Sequence, residues 1–238
     1  MADASQTRTL PPIPQAAGRV LQLLNQPDTT ADDLHKVIET DPSLTTSVLR
    51  LVNSALFNLP RQVSTLSHAI MLLGFLRLRS LTLASVVAGL KDLIPPAAAE
   101  KRDLIWEHSV NTALGARHLA DRAGLAWSEE AFVAGLLHDV GRLVLLAARP
   151  DEYVALLNEA EGMPTSVKET EALGENHEEV GKEVLSAWNL APQLVATVGN
   201  HHGNDIFAGE HAALVSLVAL ADRLVDEIGV NEDPAPAA

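Results

Sequence analysis

The sequence predicts an all-α protein built as two helical lobes. Helix caps and prolines punctuate apolar runs of helical period along most of the chain. No period-2 alternation of any length competes with them. The paired prolines of "IPPAAA", Ile94 to Ala99, interrupt the helical pattern, because two prolines in succession cannot continue a helix. The expected organisation is an N-terminal lobe over residues 10–95, a second lobe over 100–230 and a disordered tail, "NEDPAPAA", over 231–238.

In the first lobe, Thr30 stands three residues before Asp33, a capping-box-like start for a helix over Ala31–Glu39. Asp41-Pro42 supplies an N-cap and a proline at the first helical position. The run that follows places Leu44, Val48, Leu51, Val52 and Ala55 on one face, and "NLP" breaks it. Ser64 or Thr65 can cap the next helix, which ends near Gly74; a long helix then runs to about Leu93. The second lobe reads as five main helices, near 104–123, 129–146, 177–188, 192–202 and 211–228, with a weaker one at 152–161.

Composition narrows the functional classes. Apolar residues make up 47% and charged residues 20% of the 238, enough to bury a core, and aromatics are only 3%, so that core is aliphatic. There is no cysteine, which removes disulfides and thiolate metal sites. The first residues lack the pattern of a signal peptide. The longest apolar run, Ala69 to Leu90, is interrupted by Arg77 and Arg79, so a buried helix is expected rather than a membrane span, in a cytoplasmic protein. Charge is uneven: 8 basic against 7 acidic residues up to Pro95, then 9 against 24. So acidic a second half repels polyanions and argues against nucleic-acid binding.

Seven of the nine histidines lie in the second lobe. Each of its main helices offers an imidazole or carboxylate, mostly in apolar surroundings: His108, the pair His138-Asp139, His177, the pair His201-His202, and Asp222. Buried polar groups cost free energy unless satisfied, so five such positions together point to a shared site. Imidazole and carboxylate suit Fe, Mn or Zn. Adjacent helical residues point about 100° apart. His138 and Asp139 can therefore flank a cleft, with Asp139 able to bridge two ions. The same residues also fit a metal-free hydrogen-bonded network, with Arg142 pairing Asp139 one turn away. His118 and His211 fall off these faces, and His35 and His68 read as surface residues.

The order His108, His138-Asp139, His177, His201-His202, Asp222 resembles the HD superfamily of metal-dependent phosphohydrolases. "DPSLTTSVLRLVNSALF" and "AGLLHDVGRLVL" narrow the resemblance to the HDOD family, the HD-related output domain of bacterial signalling, over residues 10–228. The resemblance implies an N-terminal helical lobe packed on an HD-like five-helix lobe, and a regulatory role through protein partners. It also implies that His108, His138, Asp139 and Asp222 hold a first divalent ion, and that His177, His201 and His202 add the ligands of two-metal members, with Asp139 bridging. A catalytic member would hydrolyse a phosphoester of a nucleotide or cyclic dinucleotide, with Asp139 and Arg142 in the machinery. Three departures weigh against turnover: Arg142 stands where HD-GYP members carry lysine, the Gly-Tyr-Pro segment is absent after His202, and Leu104 replaces an acid. The function expected is a regulatory module whose cleft holds one or two metals or none; the alternative is a metal-dependent phosphohydrolase.

Overall fold

The computed structural model describes residues 10–53, 59–160, 163–203 and 209–228. Within them the chain is helical and without strands. The expected tail at 231–238 lies outside the described residues, as do Ser54, Ala55 and the side chain of Leu51. The chain forms two compact units, one over Pro12–Gly89, the other from Leu90 onward together with the segment ending at Pro11.

The first unit holds α1 (Gln15–Leu24), α2 (Ala31–Glu39), α3 (Pro42–Val52) and α4 (Leu66–Leu90). Its caps are those the sequence indicates. Thr30 accepts from Asp33 N while the Asp33 carboxylate accepts from Thr30 N, closing a capping box on α2. Asp41 Oδ1 accepts from the backbone of Ser43 at 2.9 Å and Leu44 at 3.0 Å at the start of α3. Thr65 rather than Ser64 caps α4, through His68 N at 3.3 Å. Gly74 takes φ 66° inside α4, which only glycine adopts readily, and divides it where the sequence places a helix end. Leu44, Val48 and Val52 are buried as their spacing predicts, and Val52, Val63, Ala69, Leu73 and Leu81 form one cluster.

Asn53 closes α3. Its amide donates to Leu49 O at 2.8 Å and Val63 O at 2.7 Å, and its carbonyl accepts from Val63 N at 2.7 Å. Asn53→Ala therefore orphans Val63 N and O together. The expected loss is about 1–3 kcal/mol, read as a lower urea midpoint at unchanged slope.

The second unit holds α5 (Ala99–Arg122), α6 (Ser128–Leu137), α7 (Val140–Ala148), α8 (Pro150–Glu159), α9 (Ser166–Leu173), α10 (His177–Ala187), α11 (Pro192–Val198) and α12 (Ala212–Ile228). Two 3₁₀ turns, Lys91–Leu93 and Pro96–Ala98, precede it. α5 packs against both α6 and α12, and α7 against α10. Trp188 Nε1 donates to Pro11 O at 2.9 Å, which ties the N-terminal segment into this unit.

Three differences from the sequence reading bear on the site. The single helix expected over 129–146 is two, with His138-Asp139 at the break rather than mid-helix. Asp139 has φ −103° and ψ 16°, and Arg142 N bonds its carbonyl, so the chain turns there. The helix expected over 192–202 ends at Val198, which leaves His201-His202 in the following turn. Finally, α9 has no counterpart in the sequence reading.

Two helical stretches, Leu66–Leu93 and Ser128–Ala148, are apolar and long enough to cross a membrane; 61% and 89% of their most apolar windows is buried within the protein.

Candidate metal centre

Glycines set the helix spacing that gathers the site. A Cβ at Gly135 of α6 would lie 2.8 Å from Ala113 Cα of α5, so the two helices meet backbone to backbone. One turn further, His138 lies against His108, with Nε2 atoms 3.3 Å apart. A Cβ at Gly141 of α7 would lie 2.0 Å from the carbonyl oxygen of His177, and one at Gly181 of α10 would lie 2.5 Å from Val198 of α11. These close approaches hold α7, α10 and α11 together around Asp139.

All seven side chains singled out in the sequence come together. His108, His138, Asp139, His177, His201 and Asp222 are buried, and only His202, with 35% of its side chain exposed, reaches solvent. Two groups fall within the spacing a cation needs: Asp139, His177, His201 and His202, and His108, His138 and Asp222. Asp139 faces both. Its Oδ1 lies 3.4 Å from His177 Nε2 and 3.6 Å from His201 Nε2. Its Oδ2 lies 3.6 Å from His138 Nε2 and 3.7 Å from His108 Nε2. Two ligands at about 2.05 Å on a tetrahedral ion are about 3.3 Å apart, close to these separations. Asp222 Oδ1 lies 2.8 Å from His108 Nε2, and its Oδ2 3.6 Å from His202 Nδ1.

The far ring nitrogens are also held. His138 Nδ1 lies 2.6 Å from Gly135 O, and His201 Nδ1 3.0 Å from Val198 O, each a carbonyl three residues back at a helix end. With Nδ1–H donating to the backbone, Nε2 is the ring nitrogen left facing the centre, the usual arrangement of ligating imidazoles. His118 and His68 are exposed and His211 lies in the turn before α12, away from the cluster; His35 sits 3.4 Å from Glu39.

The metal-free alternative accounts for only part of this. His108, His138 and Asp222 do hydrogen-bond among themselves, and Arg142 Nε donates to Asp139 Oδ2 at 2.7 Å. Yet Asp139 Oδ1 and His201 Nε2 are fully buried and have no hydrogen-bond partner. The two atoms face each other at 3.6 Å, too far for a good hydrogen bond; buried polar atoms left so are costly, and a cation between them satisfies both. The donor set therefore fits a divalent metal.

Electrostatics separates the groups. Burial alone would raise Asp139, but Arg142 and the neighbouring imidazoles hold it well below the usual carboxylate range. Burial is likewise outweighed at Asp222, which His108 and His138 hold low. At His138 burial lowers the pKa, and the carboxylates of Asp139 and Asp222 overcome it, to about 9. Burial, together with His201 and His177, pushes His202 down to about 3. Burial and the guanidinium of Arg142 lower His177.

Two residues absent from the sequence reading lie behind the site and hold Arg142. Glu169 of α9 and Tyr153 of α8 are fully buried beside Arg142. Arg142 Nη1 donates to Glu169 Oε1 at 2.7 Å and to Pro164 O at 2.9 Å, and approaches the Tyr153 hydroxyl at 3.4 Å. The only signal available was composition, since Tyr153 is the one tyrosine of the chain.

The family model of the HDOD domain matches residues 10–204. The chain belongs to the HDOD domain family. As an HDOD protein of the HD superfamily, it is similar to an HDOD domain protein of unknown function from Geobacter sulfurreducens. That crystal structure is 29% identical, covers 97% of this chain and 78% of its own, and superposes with a TM-score of 0.77. A Shewanella amazonensis SB2B protein with the provisional name phosphohydrolase is 28% identical, at a TM-score of 0.72 over 92% of this chain and 78% of its own. An uncharacterized protein of Treponema pallidum (strain Nichols) is 29% identical over 219 residues, 90% of this chain; the HDOD chain spans only 42% of that relative.

Proposed function

We propose that the protein is a cytoplasmic regulatory module of bacterial signal transduction that engages protein partners, and that its HD cleft holds one or two divalent ions, Fe, Mn or Zn. The observation that carries the metal reading is the buried pair of unpartnered atoms, Asp139 Oδ1 and His201 Nε2, 3.6 Å apart. Asp139, His177, His201 and His202 would hold one ion, and His108, His138 and Asp222 a second, with Asp139 shared. A bound divalent ion supplies Lewis-acid polarisation and charge neutralisation.

Regulation is favoured over turnover by Arg142. Its guanidinium is buried and spent on Asp139, Glu169 and Pro164 O, and it stays protonated near neutral pH, so it moves no proton. The partner reading draws on the first unit, where Met71 and Leu76 stand 79% and 71% exposed on α4. The second reading, a phosphohydrolase acting on a nucleotide or cyclic dinucleotide, is favoured by the completeness of the ligand set and by the similarity to the Shewanella protein.

Elemental analysis of untagged protein purified without chelator tests the first reading. At least one equivalent of Fe, Mn or Zn is expected, falling in Asp139→Asn, because Asp139 faces both groups. Metal content near zero, unchanged on adding Mn²⁺, would remove both readings of the cleft. With metal bound, hydrolysis of bis(p-nitrophenyl) phosphate is expected to be equal for wild type and Asp139→Asn. A rate that depends on Asp139 favours the enzyme.

A further inference from the structure

We propose that Glu169 is a positioning residue for the metal centre: it fixes the ring tautomer of His177 and so makes the Asp139–His177–His201–His202 group the tighter of the two half-sites. The inference rests on the metal reading above and adds to it a residue outside the ligand set and an order of filling.

The chemistry of Glu169 leaves one arrangement. Its carboxylate meets four groups. Oε1 faces Arg142 Nη1 at 2.7 Å and the Tyr153 hydroxyl at 2.5 Å; Oε2 faces His177 N at 2.8 Å and His177 Nδ1 at 2.5 Å. Arg142, the tyrosine hydroxyl and the backbone N–H are donors, and beside them an ionised carboxylate can only accept. The proton on the His177 ring is therefore on Nδ1, and Nε2 keeps its lone pair. That lone pair is directed at Asp139 Oδ1, 3.4 Å away, and Arg142 Nη2 approaches it at the same distance. The backbone bond to His177 N fixes the first residue of α10 as well as its ring.

The two half-sites then differ in what a cation must displace. On the Glu169 side, Asp139 Oδ1 and His201 Nε2 have no hydrogen-bond partner to give up, and the one contact to displace is the long 3.4 Å approach of Arg142 Nη2 to His177 Nε2. On the other side, His108 Nε2 is already paired with Asp222 Oδ1 at 2.8 Å and with His138 Nε2 at 3.3 Å, and Asp139 Oδ2 is held by Arg142. A cation entering there breaks made bonds.

Two measurements test this. On metal-free protein, long-range ¹⁵N–¹H correlation of the imidazole nitrogens is expected to show His177 protonated on Nδ1 only; protonation on Nε2 overturns the proposal. On the full chain, Co²⁺ is titrated by absorption and calorimetry. Glu169→Gln sets an amide N–H against two donors and is expected to weaken the first Co²⁺ by about 10–100-fold. Asp222→Asn, in the other half, is expected to leave the first equivalent unchanged and weaken the second. A Glu169→Gln protein with undiminished first-site affinity, or an Asp222→Asn protein that loses the first site, overturns the ranking. Tyr153→Phe removes one donor from Oε1 and leaves Oε2 on His177, so it carries the packing cost without the tautomer change; its first-site affinity is expected to match wild type. Should Glu169→Gln fail to fold, the wild-type tautomer and the Asp222→Asn titration still decide. A wild type that takes up no Co²⁺ overturns the metal reading and the ranking with it, whereas the role of Glu169 is still read from the tautomer.

Discussion

Replacing Arg142 with methionine is expected to destabilise the metal-free protein by about 3–5 kcal/mol, the usual cost of breaking a buried ion pair from one side. The buried guanidinium is shared by two buried carboxylates, Asp139 at 2.7 Å and Glu169 at 2.7 Å. Methionine fills comparable volume and leaves both charges without it, along with Pro164 O. Arg142→Lys is expected to fall between, because a point charge cannot serve carboxylates on two sides at once. The sign of the pH dependence follows from the wild-type shifts. Asp139 and Glu169 are both held low, so their contribution is fully present above the ordinary carboxylate range of about 3.9–4.3 and is lost as pH falls below it. The deficit of Arg142→Met is therefore expected to narrow on acidification. Mn²⁺ or Zn²⁺ should raise the variant's Tm more than the wild type's, since the ion supplies positive charge that Asp139 has lost. Urea unfolding in chelator, repeated with metal, measures both effects. Equal stabilities in chelator would mean that the pair contributes nothing in solution.

Much of the histidine and aspartate cluster was legible because it rests on residue type and coarse helix placement. His177 opens α10 behind Asn176, whose side chain accepts from Glu179 N, and Asp222 lies inside α12, as their neighbours indicate. Whether those helices converge was a separate matter, and three glycines carry much of the answer. In the sequence Gly135, Gly141 and Gly181 look like weak points in helices, and nothing there says that each faces another helix's backbone. The break at His138-Asp139 was hidden for a related reason. "AGLLHDVGRLVL" is apolar throughout, so one buried helix and two give the same pattern. Glu169 was invisible because it sits among other acids in "VKETEALGE", where solvated and buried glutamates look alike. Its partner Arg142 lies 27 residues away. Arg142 itself was legible only in part: the i,i+3 pairing with Asp139 is local, and the bonds to Pro164 and Glu169 are not.

Gly141→Ala should be as damaging as losing a ligand, although the residue bonds to no ion. The added methyl would stand 2.0 Å from the His177 carbonyl oxygen and 2.9 Å from Gly181 N, all backbone atoms that no rotamer change can move aside. α7 and α10 must separate, at a cost of about 3 kcal/mol or more, the upper end for overpacking. The separation acts on the site directly, because Asp139 precedes α7 and His177 begins α10. Their ligand atoms, 3.4 Å apart, are expected to move out of range of a shared ion. Loss of Tm and loss of the first equivalent of bound metal should therefore appear together. Gly89→Ala provides the opposite sign: it is a helical glycine of α4 whose would-be Cβ meets nothing within 4 Å beyond its chain neighbours and its own helix backbone, so a gain of about 0.5–1 kcal/mol is expected from helix propensity alone. If Gly141→Ala melts like wild type and keeps its metal, α7 and α10 do not meet backbone to backbone. The clustering of His177 with Asp139 would then need another cause.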